Sequence, residues 1–172
     1  MHQTKNELPE DTRAAVTELL NNRLADSIDL KTQLKQAHWN IKGMSFSGLH
    51  ELFDEAASSI EEYTDLIAER IVQLGGIAEG TARMAAGRTS LDEYPLEVTS
   101  GRFHAEAVSS ALARFGAEAR NTISEAEEVG DPVTADIMTE ISRGVDKHLW
   151  FVEAHLQGAE AEATMVTGAA FR

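Results

Sequence analysis

Apolar residues recur at three- and four-residue steps through four long segments of this 172-residue chain, and that period restricts its fold more than any other feature. Over residues 9–40 the stripe runs Val16, Leu20, Leu24, Ile28, Leu34, His38 and Ile41. Pro9, Glu10 and Asp11 supply the fixed φ and the negative charge that suit a helix N-terminus. Lys42-Gly43 ends this helix, and Ser45 or Ser47 is placed to cap a second whose stripe is Leu49, Leu52, Phe53, Ala56, Ile60, Tyr63, Ile67, Ile71 and Leu74. Gly75-Gly76 stops it. So short a connection sets the two helices side by side and antiparallel. A second pair follows, with Phe103, Val108, Leu112, Phe115, Ala119 and Ile123 on one member and Ile137, Ile141, Val145, Leu149 and Leu156 on the other. Val129-Gly130-Asp131-Pro132 makes the turn between them. β-Branched residues nowhere alternate with polar ones over a useful length, so no strands are predicted.

Between the hairpins, from Gly75 to about Ser100, the period lapses among Gly75, Gly76, Gly80, Gly87 and Pro95, with one short helix predicted in the Ala-rich middle. Two antiparallel hairpins joined by one long crossover predict an all-α, ferritin-like four-helix bundle. The whole of residues 1–172 reads as a single domain, with residues 1–10 as an N-terminal tail and residues 158–172, small and weakly periodic, as a mobile C-terminal tail. No run of 18 apolar residues occurs, and the opening MHQTKNELPEDT lacks the basic and then apolar layout of a secretory signal. A soluble, cytoplasmic protein with no membrane partner is expected, nucleoid association being the alternative location.

The absence of Cys removes disulfides, thiolate zinc sites, iron–sulfur clusters and cysteine nucleophiles. Any bound metal must be held by His, Asp or Glu, which favours a fairly hard ion. Fifteen Lys and Arg against 29 Asp and Glu give a net charge of −14, which repels phosphate backbones and attracts cations.

On the second helix His50 and Asp54 are four residues apart, as are Asp65 and Glu69, so each pair shares a helix face. Spacing alone is weak, since about five acid–acid pairs at that step arise by chance at this acid content. His38 lies on the apolar stripe of the first helix, which the adjacent turn brings close to the start of the second. The di-iron signature of four-helix bundles places Glu three residues before a His on each of two helices. His2, His38, His50, His104, His148 and His155 all lack that Glu. A complete iron site within one chain is therefore not expected, and an iron-binding bundle of this sequence needs ligands from another chain. No zinc-protease motif, phosphate loop, dinucleotide fingerprint or nucleophile elbow is present.

The segment Leu34-Lys35-Gln36-Ala37-His38-Trp39-Asn40-Ile41-Lys42-Gly43, followed by Leu49-His50-Glu51-Leu52-Phe53-Asp54, Asp65-Leu66-Ile67-Ala68-Glu69-Arg70 and Leu74-Gly75-Gly76, resembles the Dps mini-ferritins. The likeness continues through Tyr94-Pro95-Leu96 and Asp146-Lys147-His148-Leu149-Trp150-Phe151 and spans about residues 15–157. What it implies is a hollow homododecamer of four-helix bundles, a ferroxidase that oxidises Fe(II), preferentially with hydrogen peroxide rather than dioxygen, and stores the Fe(III) mineral so that DNA is spared oxidative damage. The implied iron site lies between two chains, with His38, His50 and Asp54 from one and Asp65 and Glu69 from its two-fold mate. Trp39 would stand beside it, and Glu51 and Glu55 would nucleate mineral on the inner wall. Zinc is the expected competitor. Asp131, Asp136 and Glu140, at the start of the last helix, are the candidate acids of a three-fold pore through which iron enters, or else serve the charge of that helix N-terminus.

Two other functions compete. Some proteins of this resemblance coat DNA through lysine-rich tails, but residues 1–13 carry only Lys5 and Arg13 against Glu7, Glu10 and Asp11, and the segment after Gly158 has one Arg against Glu160 and Glu162. DNA binding near neutral pH is therefore expected to be weak or absent. A helical assembly protein without redox activity would explain the stripes but not the combination of His38, His50, Asp65 and Glu69.

Overall fold

The computed structural model describes residues 1–169, with side-chain surroundings described through residue 157. Among the described residues there are five helices and no strand: α1 (Glu10–Asn40), α2 (Phe46–Gln73), α3 (Ala82–Arg88), α4 (Gly101–Glu128) and α5 (Pro132–Ala169). The long helices form the bundle, and α3 is the short helix of the crossover. Both hairpin partners, α1 with α2 and α4 with α5, pack closely along their lengths. Their apolar stripes meet in one core built from Val16, Leu20, Leu24, Leu30 and Leu34, from Phe53, Ile60, Ile67 and Ile71, from Val108, Leu112 and Phe115, and from Met138, Ile141, Val145 and Val152. Each such large side chain, fully withdrawn from water, contributes about 1.5–3 kcal/mol to burial. Ile28, Ile137 and Leu149 sit only at its margin, and Phe103 is 54% exposed.

The helices stop where backbone geometry demands glycine. Gly75 has φ +85° and Gly130 has φ +84°, the left-handed conformation in which a side chain would crowd the carbonyl. At the α4–α5 turn Gly130 N–H donates to Glu127 O and Asp131 N–H to Ala126 O, which closes the last turn of α4. Gly76 is confined differently, since a Cβ there would stand 2.6 Å from Thr17 Cγ2.

The crossover is strapped to polar residues of α1 that the period did not single out. Asn21 accepts from Glu79 N–H and donates to Ile77 O. Asp26, completely buried, accepts from Ser90 N–H at 2.6 Å and forms an ion pair with Arg23, which reaches on to Glu118 of α4. Gln33 donates to Asp92 O. These bonds satisfy the backbone of a segment that has no ladder of its own, which accounts for most of the polar burial on α1, although Thr17 Oγ1 and Arg23 Nε have no hydrogen-bond partner. The far end of the crossover is fixed by Tyr94, whose hydroxyl meets Nδ1 of buried His104 at 2.6 Å. Burial pushes the Tyr94 phenol up to about 12 and pulls His104 below its ordinary value, so the phenol donates and the neutral ring accepts.

After Gly158 the backbone of α5 remains helical as far as Ala169; Ala, Glu, Gln and Met in that stretch are good helix formers even without a clear apolar stripe. Residues 170–172 of the expected tail lie outside the described residues. The expectation that Asp131 lines a pore needs correction. It is fully buried, with Arg70 Nη2 at 2.8 and 2.9 Å from its two carboxylate oxygens. It also accepts from the backbone N–H and hydroxyl of Thr134, capping α5. Burial alone would raise its pKa, but the Thr134 and Arg70 hydrogen bonds outweigh it and hold the carboxyl below the usual range.

Candidate metal centre

The α1–α2 turn, Ile41 to Ser45, brings the last turn of α1 against the first turns of α2. His38 and His50 meet there with ring centroids 3.7 Å apart and planes inclined by 20°. Each ring hydrogen-bonds the other residue's backbone, His38 Nδ1 to His50 O at 2.8 Å and His50 Nδ1 to His38 O at 2.9 Å. A carbonyl oxygen can only accept, so both Nδ1 atoms carry hydrogen, and in the neutral rings both lone pairs are left on Nε2. Fixing one nitrogen on a carbonyl in this way is how proteins orient imidazoles that ligate metals. Phe46, one turn before His50, also stacks on that ring, with centroids 4.9 Å apart.

Asp54 follows His50 by one turn of α2 and is exposed. Its Oδ1 accepts from Lys35 Nζ at 2.5 Å, and this hydrogen bond, reinforced by nearby positive charge, holds the carboxyl below its ordinary value. Lys35 Nζ also stands 5.9 Å from the centroid of the Trp39 ring, which is 67% exposed. Lys31, Lys35, Trp39, Asp54 and Glu61 border a surface hollow of about 370 Å³. Sequence reasoning missed Lys35 and Phe46. Their signal was positional: Lys35 is three residues before His38 and Phe46 four before His50, so each shares a helix face with a candidate ligand.

Asp65 and Glu69 are exposed on α2, one turn apart. At 1.5 Å per residue they lie about 16 and 22 Å along the helix from Asp54, so they cannot join the histidines of their own chain. Among the described residues no three His, Asp or Glu side chains of one chain are grouped to hold a metal ion. The rotation per residue nonetheless turns Asp54, Asp65 and Glu69 to within roughly 60° of one another around α2. Glu51 and Glu55 are exposed on the same helix, and Asp136 and Glu140 are exposed on α5. No helix among the described residues is long and apolar enough to cross a membrane.

The Ferritin-like domain family matches residues 17–161. The chain is 43% identical over 156 residues to the DNA protection during starvation protein of Agrobacterium fabrum, covering 91% of this chain and 96% of that one. It is 36% identical over 146 residues to the protein of the same name from Brevibacillus brevis, covering 83% and 95%. Among solved structures, the tetragonal form of Mycobacterium smegmatis Dps matches with a TM-score of 0.86 at 30% identity, over 91% of this chain and 94% of that chain. The chain belongs to the ferritin-like family and, within it, to the Dps proteins.

Proposed function

We propose that this protein is an iron-detoxifying and iron-storing mini-ferritin, a ferroxidase whose substrate is Fe(II) and whose product is a caged Fe(III) mineral. The observation that carries the reading is the reciprocal bonding of His38 and His50, which occupies both Nδ1 atoms and leaves two Nε2 lone pairs to bind a metal. Imidazole and carboxylate suit Fe(II), and the carboxylates bind Fe(III) more strongly still, so oxidation tightens binding.

His38, His50 and Asp54 of one protomer act with Asp65 and Glu69 of the partner subunit. The helical phase of α2 supports this sharing. A two-fold axis crossing α2 near its middle carries the Asp65–Glu69 end of one helix to the His50–Asp54 end of the other, on the same face. Trp39 borders the site. With hydrogen peroxide, two Fe(II) give up one electron each, the O–O bond breaks, and two protons complete two waters, so no hydroxyl radical is released. Glu51 and Glu55 receive the ferric product on the inner wall of a homododecamer, and the net charge of −14 per chain draws Fe(II) inward. Asp136 and Glu140 remain the candidates for the iron-conducting pore. The protein protects DNA in the cytoplasm by removing iron and peroxide. It does not coat DNA, because its N-terminal residues hold too few positive charges.

Anaerobic addition of Fe(II) followed by hydrogen peroxide tests this. Rapid ferric absorbance and a soluble mineral core are expected, with strong slowing in the His38→Gly, His50→Gly double variant while the oligomer stays intact. Oxidation at the parent rate in that variant shows the site to be misassigned. A mobility shift with micromolar protein at physiological salt would refute the DNA statement.

A further inference from the structure

We propose that Arg143 and Lys147 form an oxyanion seat on the mineral-facing side of the bundle, where they hold inorganic phosphate and build it into the first layer of the ferric core. The inference rests on the iron-storage reading and names a second constituent of what is stored.

The exposed face of α5 carries Asp136 and Glu140 near its start and Arg143, Lys147 and Trp150 further on. At about 100° per residue, Arg143 and Lys147 stand one turn apart and within about 40° of each other around the helix. That face lies beside the acids of α2. Tyr63 packs against Gly144 of α5, and the charges of Glu140 and Glu62 both act on its phenol. One turn further along α5, the charge of Glu55 acts on His148, the residue next to Lys147. Arg143 and Lys147 therefore share a side of the bundle with Glu55, which receives the ferric product.

In a chain with 29 Asp and Glu against 15 Lys and Arg, a basic side chain readily finds a carboxylate, as Arg88, Arg114 and Arg120 do. Arg143 and Lys147 do not. Among the described residues neither forms an ion pair, although Glu140 lies three residues before Arg143, and Asp146 between them turns to Arg120 instead. Lys147 Nζ stands 5.4 Å from the centroid of the Phe151 ring, a contact that leaves its charge unneutralised. The guanidinium supplies a planar fork of donors and the ammonium a point charge, and together they suit a tetrahedral oxyanion. Phosphate fits this seat best, because the oxygens it does not give to the two cations are hard donors that bind Fe(III). Carboxylates of α2 then anchor iron while cations of α5 anchor phosphate, so the two ions alternate across one side of the bundle as they do in a ferric phosphate solid.

The test uses inorganic phosphate and the assembled full-length protein. Both side chains are exposed, so replacing them leaves the core untouched. Equilibrium dialysis of the iron-free assembly against radiolabelled phosphate at low ionic strength is expected to show about one phosphate per chain. Affinity should fall by about tenfold or more in the Arg143→Gln, Lys147→Gln variant and stay near the parent's in Arg143→Lys, Lys147→Arg, which keeps both charges. After a small load of Fe(II) is oxidised by peroxide in the presence of phosphate, the parent's core should hold about twofold or more phosphorus per iron than that of the Gln variant, at equal rates of Fe(II) oxidation. Equal phosphate binding by the iron-free parent and Gln variant, or equal phosphorus per iron in their cores, overturns the proposal. A DNA mobility shift at low salt that the parent shows and the Gln variant loses assigns the two cations to a nucleic-acid backbone and overturns it as well. The ferroxidase reading fails separately, if the parent forms no ferric absorbance, an outcome that leaves the iron-free phosphate measurement standing.

Discussion

Replacing Asp131 with Ala separates a structural role from a place in an iron pathway. The carboxylate is completely buried, pairs with both oxygens to Arg70 of α2, and caps α5 through Thr134. Removing it strands a guanidinium that is only 5% exposed. Breaking a buried pair from one side costs about 3–5 kcal/mol, within which the lost cap accounts for about 1 kcal/mol. For a chain of this size each kcal/mol moves the thermal midpoint by roughly 2–4 °C, so a fall of about 6–20 °C is expected. Circular dichroism melts at fixed protomer concentration measure it, because assembly adds a concentration term. Arg70→Met combined with Asp131→Leu should recover much of the loss, since no charge is then left buried. Iron uptake per intact assembly, measured well below the midpoint, should be unchanged in Asp131→Ala. A melt within about 2 °C of the parent, together with slowed uptake, would refute the structural assignment and return Asp131 to the pore.

Other outcomes follow from the same packing. A Cβ on Gly144 would stand 1.8 Å from Tyr63 Oη, so Gly144→Ala should destabilise by about 1–3 kcal/mol in urea melts; no loss would mean that Tyr63 swings aside freely. His104 is held below its ordinary 6.5 by burial, so its neutral form stabilises the fold fully above that value and the contribution is lost as pH falls below it. The thermal midpoint should therefore drop as pH falls below about 6.5, and less steeply in His104→Asn; identical slopes would contradict this. Asp136→Asn with Glu140→Gln should slow iron uptake by the assembled protein without lowering its melting temperature, and an unchanged uptake rate removes both from the pathway.

Sequence periodicity revealed the helices because each apolar stripe is a local record of burial, and glycines with positive φ marked the ends of α2 and α4. It failed where burial is polar and non-local. Asn21, Asp26 and Gln33 look like surface residues on α1 until the crossover, more than fifty residues later, is laid over them. Asp131 was misread for the same reason: an acid at a helix start invites solvent or a cation, and nothing local shows that Arg70 lies beneath it. The histidines were legible as a pair, because a twelve-residue step across a short turn brings two helix ends together, but the mutual carbonyl bonds that orient them depend on side-chain direction. Lys35 escaped notice because a lysine one turn from a histidine is ordinary on any helix surface.

Sharing of the iron site between two chains is tested most directly by complementation. The His38→Gly, His50→Gly variant and an Asp65→Ala, Glu69→Ala variant are each expected to be slow when assembled alone. In a mixed two-fold dimer one site inherits every loss and the other inherits none, so random co-assembly should restore about a quarter of the parent's peroxide-driven Fe(II) oxidation. Co-assemblies confirmed by mass that stay as slow as either variant alone would show that the histidines and the acids do not serve one site across the interface.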